Sequence, residues 1–159
     1  MDNKTLVFLK YDCPTCELVR PLLADIQQND PSLRVIVQDD SALFSDLDVQ
    51  KDNDLKMSYH HRIETVPTVI KLEKNSETAR LIGWDKQEWK KFFSFSEEDY
   101  ELPETKPGCG SKSVERGVYE KLAVKFGRIG FSSRNFQIDS LEDEIEFCFE
   151  RGWSDGLPV

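Results

Sequence analysis

Cys13 and Cys16, separated by Pro14 and Thr15, are the residues whose types and spacing most directly offer chemistry. Two thiols so placed can cycle with a disulfide. One thiolate attacks a foreign disulfide, and the second thiol then releases the mixed disulfide that results. Cys13 is expected to attack and Cys16, one turn further along and more buried, to resolve. Two other readings stand beside this one. The pair could be half of a zinc site, but zinc needs two further ligands at recognisable spacing. Cys109 and Cys148 are isolated, and His60-His61 are adjacent rather than on one helical face. The pair could also be incidental. A C-x-x-C between a strand and a helix, however, is the pattern of redox use.

The flanking elements support that use. Thr5 to Leu9 is β-branched and aromatic enough for a buried strand, and it breaks at Lys10-Tyr11-Asp12. Leu18, Val19, Leu22, Leu23 and Ile26 then recur at helical spacing, which predicts a helix running to about Gln28. Pro14 suits its first turn, having no N–H to leave unpaired. Cys13 therefore stands where a strand ends and a helix begins. Unpaired N–H groups and the helix dipole there stabilise negative charge. A cysteine so placed can have its pKa lowered to roughly 3.5–7.5.

Further along, Glu64-Thr-Val-Pro-Thr-Val-Ile-Lys-Leu72 reads as a strand, with Pro67 among its first residues, where proline is tolerated. A C-x-x-C after the first strand, followed later by Val-Pro-Thr opening a strand, resembles the thioredoxin superfamily over residues 4 to about 95. The resemblance implies a thioredoxin-like α/β fold of order β-α-β-α-β-β-α with a mixed sheet. It implies thiol–disulfide oxidoreductase activity through Cys13 and Cys16, acting on a protein or small-molecule disulfide. It also implies that Pro67 is a cis proline facing the disulfide and that Val66 offers its backbone to substrate. Tyr11, Pro14, Thr15 and Gly83 complete the implied substrate-binding set. No cofactor or metal is implied. The chain departs from the family pattern in three places. Tyr11-Asp12 stands where a Trp precedes the motif, the central dipeptide is Pro-Thr, and Val7 occupies the place of a buried acid. Lys10, Asp12 or water is left to take the proton of Cys16.

A net charge of −9, from 30 acidic and 21 basic residues, argues against nucleic acid as a partner. No run approaches the 18 or so apolar residues of a membrane span, and the opening Met1-Asp-Asn-Lys lacks the features of a signal peptide. A cytoplasmic location follows as the expectation, where a C-x-x-C is more often catalytic than structural. Leu33–Val37 reads as a second strand, parallel to the first. Residues 39–54 read as a loop with a short helical piece, and 55–63 as a short helix. Lys74-Asn-Ser-Glu77 reads as a hairpin turn, Thr78–Ile82 as an antiparallel return, and a helix capped by Asp85 runs through Phe93.

Residues 1–95 are thus read as the thioredoxin-like domain and 96–112 as an acidic, Pro-containing linker. Residues 113–159 form a small helical extension, with helices from Ser113 to about Phe126 and from Ser140 onward. That extension is too small to bury both faces alone. It is expected to pack on the first domain, on a second copy or on a downstream domain. Trp153-Ser-Asp-Gly-Leu-Pro-Val159 is similar to segments leading into selenoprotein-like domains of the UGSC type, which implies the start of a further domain supplied with electrons by the first. Cys109 is read as a free exposed thiol, or as a further thiol relay or a substrate for the Cys13–Cys16 pair, and Cys148 as a core residue. The electron donor is unidentified. A redox-inactive binding or dimerisation module on the same fold is the alternative to the oxidoreductase.

Overall fold

In a computed structural model, which describes residues 3–96 and 100–128, the first apolar run forms β1 (Asn3–Leu9) at the centre of a five-stranded sheet. Thr5 through Leu9 are all buried, the signature of a strand covered on both faces. The chain continues through α1 (Pro14–Asn29), β2 (Leu33–Val37), a single 3-10 turn at Ala42–Phe44 and β3 (Val49–Lys51). It then passes through α2 (Lys56–His60), β4 (Thr65–Val66), β5 (Thr68–Glu73), β6 (Ser76–Ile82), β7 (Trp84–Asp85) and α3 (Lys86–Phe93). Two short strands, β8 (Thr105–Lys106) and β9 (Cys109–Gly110), a 3-10 turn at Lys112–Val114 and α4 (Val118–Phe126) complete the described elements.

The sheet order is β3-β2-β1-β5-β6. β1 runs parallel to β2 with Val7 opposite Val35, and antiparallel to β5 with Val7 opposite Val69. β2 and β3 are parallel, and β5 and β6 antiparallel. The expected β-α-β-α-β-β-α order is present, so the fold is thioredoxin-like. Lys74 and Asn75 both take positive φ between β5 and β6, the two-residue hairpin geometry that the strand twist favours. Phe8, Leu9, Leu22, Leu23, Ile36, Ile70 and Trp89 are fully buried. Each such side chain contributes about 1.5–3 kcal/mol by leaving water.

The chain divides into two compact units. One holds the sheet and takes the described residues of 1–53 and 65–109; the other takes 54–64 and the described residues from 110 onward. In the second unit Tyr59 of α2 packs on Tyr119 and Phe126 of α4, with ring centroids 5.4 and 6.1 Å apart. Val114 and Leu122 complete that core, and Ser113 Oγ donates to the Ile63 carbonyl at 2.9 Å. The extension thus finds its apolar partner in residues 54–64 of the same chain.

Several elements differ from the sequence expectation. The stretch read as loop over 39–54 contains β3, held by pairing with β2 rather than by any apolar pattern of its own. The helix expected from Ser113 begins only at Val118, because Ser111 caps a 3-10 turn and Gly117 takes a φ of 82° that breaks the path. The segment read as linker carries β8, paired with β7, and β9, paired with β4. The helix from Ser140, Cys148 and the segment 150–159 lie outside the described residues. Among the described residues no helix is long and apolar enough to cross a membrane.

Candidate active site

β1 delivers the chain to the edge of the core at Leu9, whose carbonyl accepts from Gln38 N–H at 2.9 Å. Tyr11 N–H donates to Asp39 Oδ1 at 2.7 Å, and Cys13 N–H to the Tyr11 carbonyl at 3.0 Å, so the connecting loop is tied down on both sides. Cys13 is the N-cap of α1, extended at φ −144°, with Pro14 the first helical residue. Its sulfur accepts the Cys16 N–H at 3.1 Å, in the place of the oxygen of an ordinary capping side chain. The same thiol lies 3.7 Å from the Val66 carbonyl, to which it donates. Cys13 and Cys16 are both buried, at 1% and 0% exposure.

Val66 and Pro67 close the opposite wall. The Val66–Pro67 peptide bond is cis. Thr68 Oγ1 donates to the Thr65 carbonyl at 2.6 Å, and Gly83 N–H to the Pro67 carbonyl at 2.9 Å, which hold that corner in place. Gly83 has a φ of 72°, available to glycine at little cost. Its carbonyl accepts from Trp89 Nε1 at 3.0 Å, so the buried indole of α3 supports the same wall. Tyr11 is exposed at 41% and Pro14 is exposed beside the motif. Thr15 points its hydroxyl at the Pro107 carbonyl, 2.7 Å away.

The sequence reading did not anticipate what covers this site. Trp84 Nε1 donates to the Pro103 carbonyl at 2.7 Å and Lys86 N–H to the Glu104 carbonyl at 2.8 Å, and β8 pairs with β7. From there the chain crosses Thr15 and Gly83 and brings β9 against β4. Gly108 lies so close to β4 that a Cβ on it would stand 2.5 Å from the Val66 carbonyl oxygen and 2.5 Å from Thr65 Cγ2. Cys109 follows, half-buried rather than exposed, and its thiol hydrogen-bonds to the Cys13 sulfur. Gly108 beside Cys109 was the available signal, since only a residue without a side chain permits such an approach.

Three thiols crowded together alter their acidity. The hydrogen bond from Cys109 favours the Cys13 thiolate. The bond to the Cys16 thiol, burial and the charge on an ionised Cys16 oppose it and outweigh the help of the Cys16 N–H. The Cys13 thiol is thereby pushed from 9.0 up to about 12. Cys109 is raised as well, first by its bond to Cys13 and then by burial and the Cys13 charge, against the Thr15 N–H and Lys10. The low pKa expected from the helix terminus is therefore corrected. That terminus is in place, but a buried neighbouring thiol and lost hydration outweigh it. Cys13, Cys16 and Cys109 are all free thiols. Among the described residues no group of three or more His, Cys, Asp or Glu side chains is arranged to hold a metal ion.

Such a site on such a sheet defines a thioredoxin-fold dithiol protein. No family model and no curated protein matches the chain. Among solved structures it is similar to mitochondrial thioredoxin 3 from Saccharomyces cerevisiae in its oxidised form, at 17% identity over 58% of this chain and 77% of that one, with a TM-score of 0.43. It is also similar to StoA from Bacillus subtilis, at 18% identity over 58% and 82% of the two chains and a TM-score of 0.46. A secreted Mycobacterium tuberculosis disulfide oxidoreductase homologous to E. coli DsbE matches at 14% identity over 50% and 67%, with a TM-score of 0.40.

Proposed function

We propose that this chain is a thiol–disulfide oxidoreductase in which Cys13 attacks a protein or small-molecule disulfide and Cys16 resolves the mixed disulfide. The observation that carries the reading is the Cys13 sulfur at the N-cap of α1, 3.1 Å from the Cys16 N–H. Once ionised, that sulfur is met by a donor from the helix terminus, and Cys16 stands one turn away to displace whatever Cys13 has captured. Val66 and Pro67 form the wall along which an extended substrate would lie. In a reducing cytosol the net direction would be reduction of the partner, with electrons returned by an external dithiol.

The test is a redox titration by thiol trapping across a dithiothreitol series. It is run on Cys109→Ser protein, so that the third thiol cannot substitute, alone and combined with Cys13→Ser or Cys16→Ser. A two-electron couple in the first protein and none in either double variant is expected. A couple that survives in a double variant overturns the assignment. The covered groove favours a second reading, a binding module on the same fold without turnover. A Cys109→Ser protein with no couple at all decides for it.

A further inference from the structure

β4 and Thr15, which flank the two thiols, are already engaged by this chain's own segment beginning at residue 106. β9 pairs with β4, the strand ending at Val66 beside Pro67. Thr15 Oγ1 holds the Pro107 carbonyl at 2.7 Å. A Cβ on Gly83 would meet Gly108 N at 3.1 Å and the Lys106 oxygen at 3.4 Å, so only glycine at 83 lets the segment lie flat. The segment ends with a thiol against the Cys13 sulfur. An added strand whose main-chain hydrogen bonds give affinity while its side chains give specificity is the general form of peptide recognition by strand addition, and here one of those side chains is a thiol.

We propose that residues 106–109 are a tethered substrate lying in the groove, and that Cys109 is a third redox thiol exchanging disulfides with Cys13. The proposal rests on the oxidoreductase reading and adds the identity of an internal partner. The step balances without an outside electron source. In the oxidised chain the Cys109 thiol loses its proton and its sulfur attacks Cys13 Sγ. The Cys13–Cys16 bond breaks as the Cys13–Cys109 bond forms, and Cys16 leaves as a thiolate that takes up a proton. One disulfide is consumed and one made. The oxidising equivalents enter earlier, from a foreign disulfide. In the oxidised chain the Cys13 thiol and its charge no longer oppose ionisation of Cys109; burial still does, against the Thr15 N–H and the Lys10 charge. Attack by Cys16 on Cys13 reverses the step, so oxidation can be held in either of two bonds.

Disulfide mapping tests this. The full chain, as wild type and as Cys16→Ser, is incubated with glutathione disulfide, alkylated, digested and mapped by mass. The expected result is a peptide linking Cys13 to Cys109 in either protein. In Cys16→Ser it should exceed the Cys13–glutathione adduct by about tenfold or more, because a held thiol outcompetes a millimolar free one. If Cys13 carries glutathione or bonds only Cys16 while Cys109 stays alkylatable, the tethered-substrate proposal fails and the oxidoreductase reading stands. If Cys13 reacts with nothing, both fail. Should Cys16→Ser not fold, the wild-type map alone decides: no Cys13–Cys109 peptide at complete oxidation overturns the proposal.

Discussion

Gly108→Ala probes the contact between the covering segment and the site most sharply. An alanine Cβ at this position would lie 2.5 Å from the Val66 carbonyl oxygen, 2.5 Å from Thr65 Cγ2 and 3.2 Å from the Val66 carbonyl carbon. Val66 is fully buried and joined to Pro67, so it cannot retreat. Comfortable contact needs about 3.5 Å, so the segment must move outward by roughly 1 Å. Overpacking of this kind costs about 1–3 kcal/mol. All of that cost falls on the covered state, which shifts the ratio of covered to uncovered site by about 5- to 150-fold. Cys13 is 1% exposed when covered, so a reagent reaches it only when the segment lifts. The assay is the rate at which iodoacetamide alkylates Cys13 in reduced protein at fixed pH, followed by peptide mass, with circular dichroism and a melting curve to verify that the variant is folded. The variant should react about 5- to 150-fold faster, by the same arithmetic. A folded Gly108→Ala protein that reacts at the wild-type rate would show that the segment does not control access and would refute the reasoning.

Acidity at the site gives a second expectation. With Cys13 pushed up to about 12, its alkylation rate in reduced protein should climb about tenfold per pH unit from 7 to 10 without levelling off; a plateau below pH 8 would contradict this. The same shift bears on stability. The folded pKa lies above the unfolded value of 9.0, so the folded state holds this proton more tightly. That contribution is complete below about pH 9 and is lost as pH rises towards 12. Urea midpoints of reduced wild type and Cys13→Ser at pH 8 and 10.5 should therefore converge or cross at the higher pH. Trp89→Phe removes the donor to the buried Gly83 carbonyl, 3.0 Å away, and should lower stability by about 1–3 kcal/mol in urea melts. Asp85 caps α3 by accepting the Glu88 N–H at 3.1 Å, so Asp85→Ala should cost about 0.5–2 kcal/mol, read as a lower urea midpoint with unchanged slope.

The elements legible in the sequence are those whose signal lies within one stretch. The apolar run Thr5–Leu9, the helical spacing from Leu18 to Ile26, the turn composition after Glu73 and the Asp85 cap each state their structure locally. Cys13 and Cys16 were legible for the same reason, since strand, dithiol and helix are contiguous. What could not be read depends on partners distant in the chain. β3 is three residues, Val-Gln-Lys, whose extended state is set by its pairing with β2. Residues 103–109 are held almost wholly through backbone groups, from the Pro103 carbonyl on Trp84 to the Pro107 carbonyl on Thr15, and composition does not record such contacts. The place of Cys109 followed from that path. The acidity of Cys13 was misjudged because the helix terminus shows in the local sequence, whereas the burial and the contact with the Cys16 thiol that outweigh it arise only in the packed fold.

The second unit has a consequence for how the chain is made. α2 and α4 are separated by residues 61–117, a stretch of 57 residues (117 − 60). On the ribosome, at about 5–20 residues per second, α4 follows α2 by roughly 3–11 s. A five-residue helix is far below the roughly 12–15 residues at which an isolated helix holds in water. α2 therefore forms with its partner rather than ahead of it. Until then Tyr59 and Leu55 of the nascent chain lack the cover of Tyr119, Leu122 and Phe126. The sheet unit draws its core around β1, β5 and Trp89 from residues that precede 110. The second unit must wait for the end of α4, and in that interval its apolar residues are what a chaperone would meet.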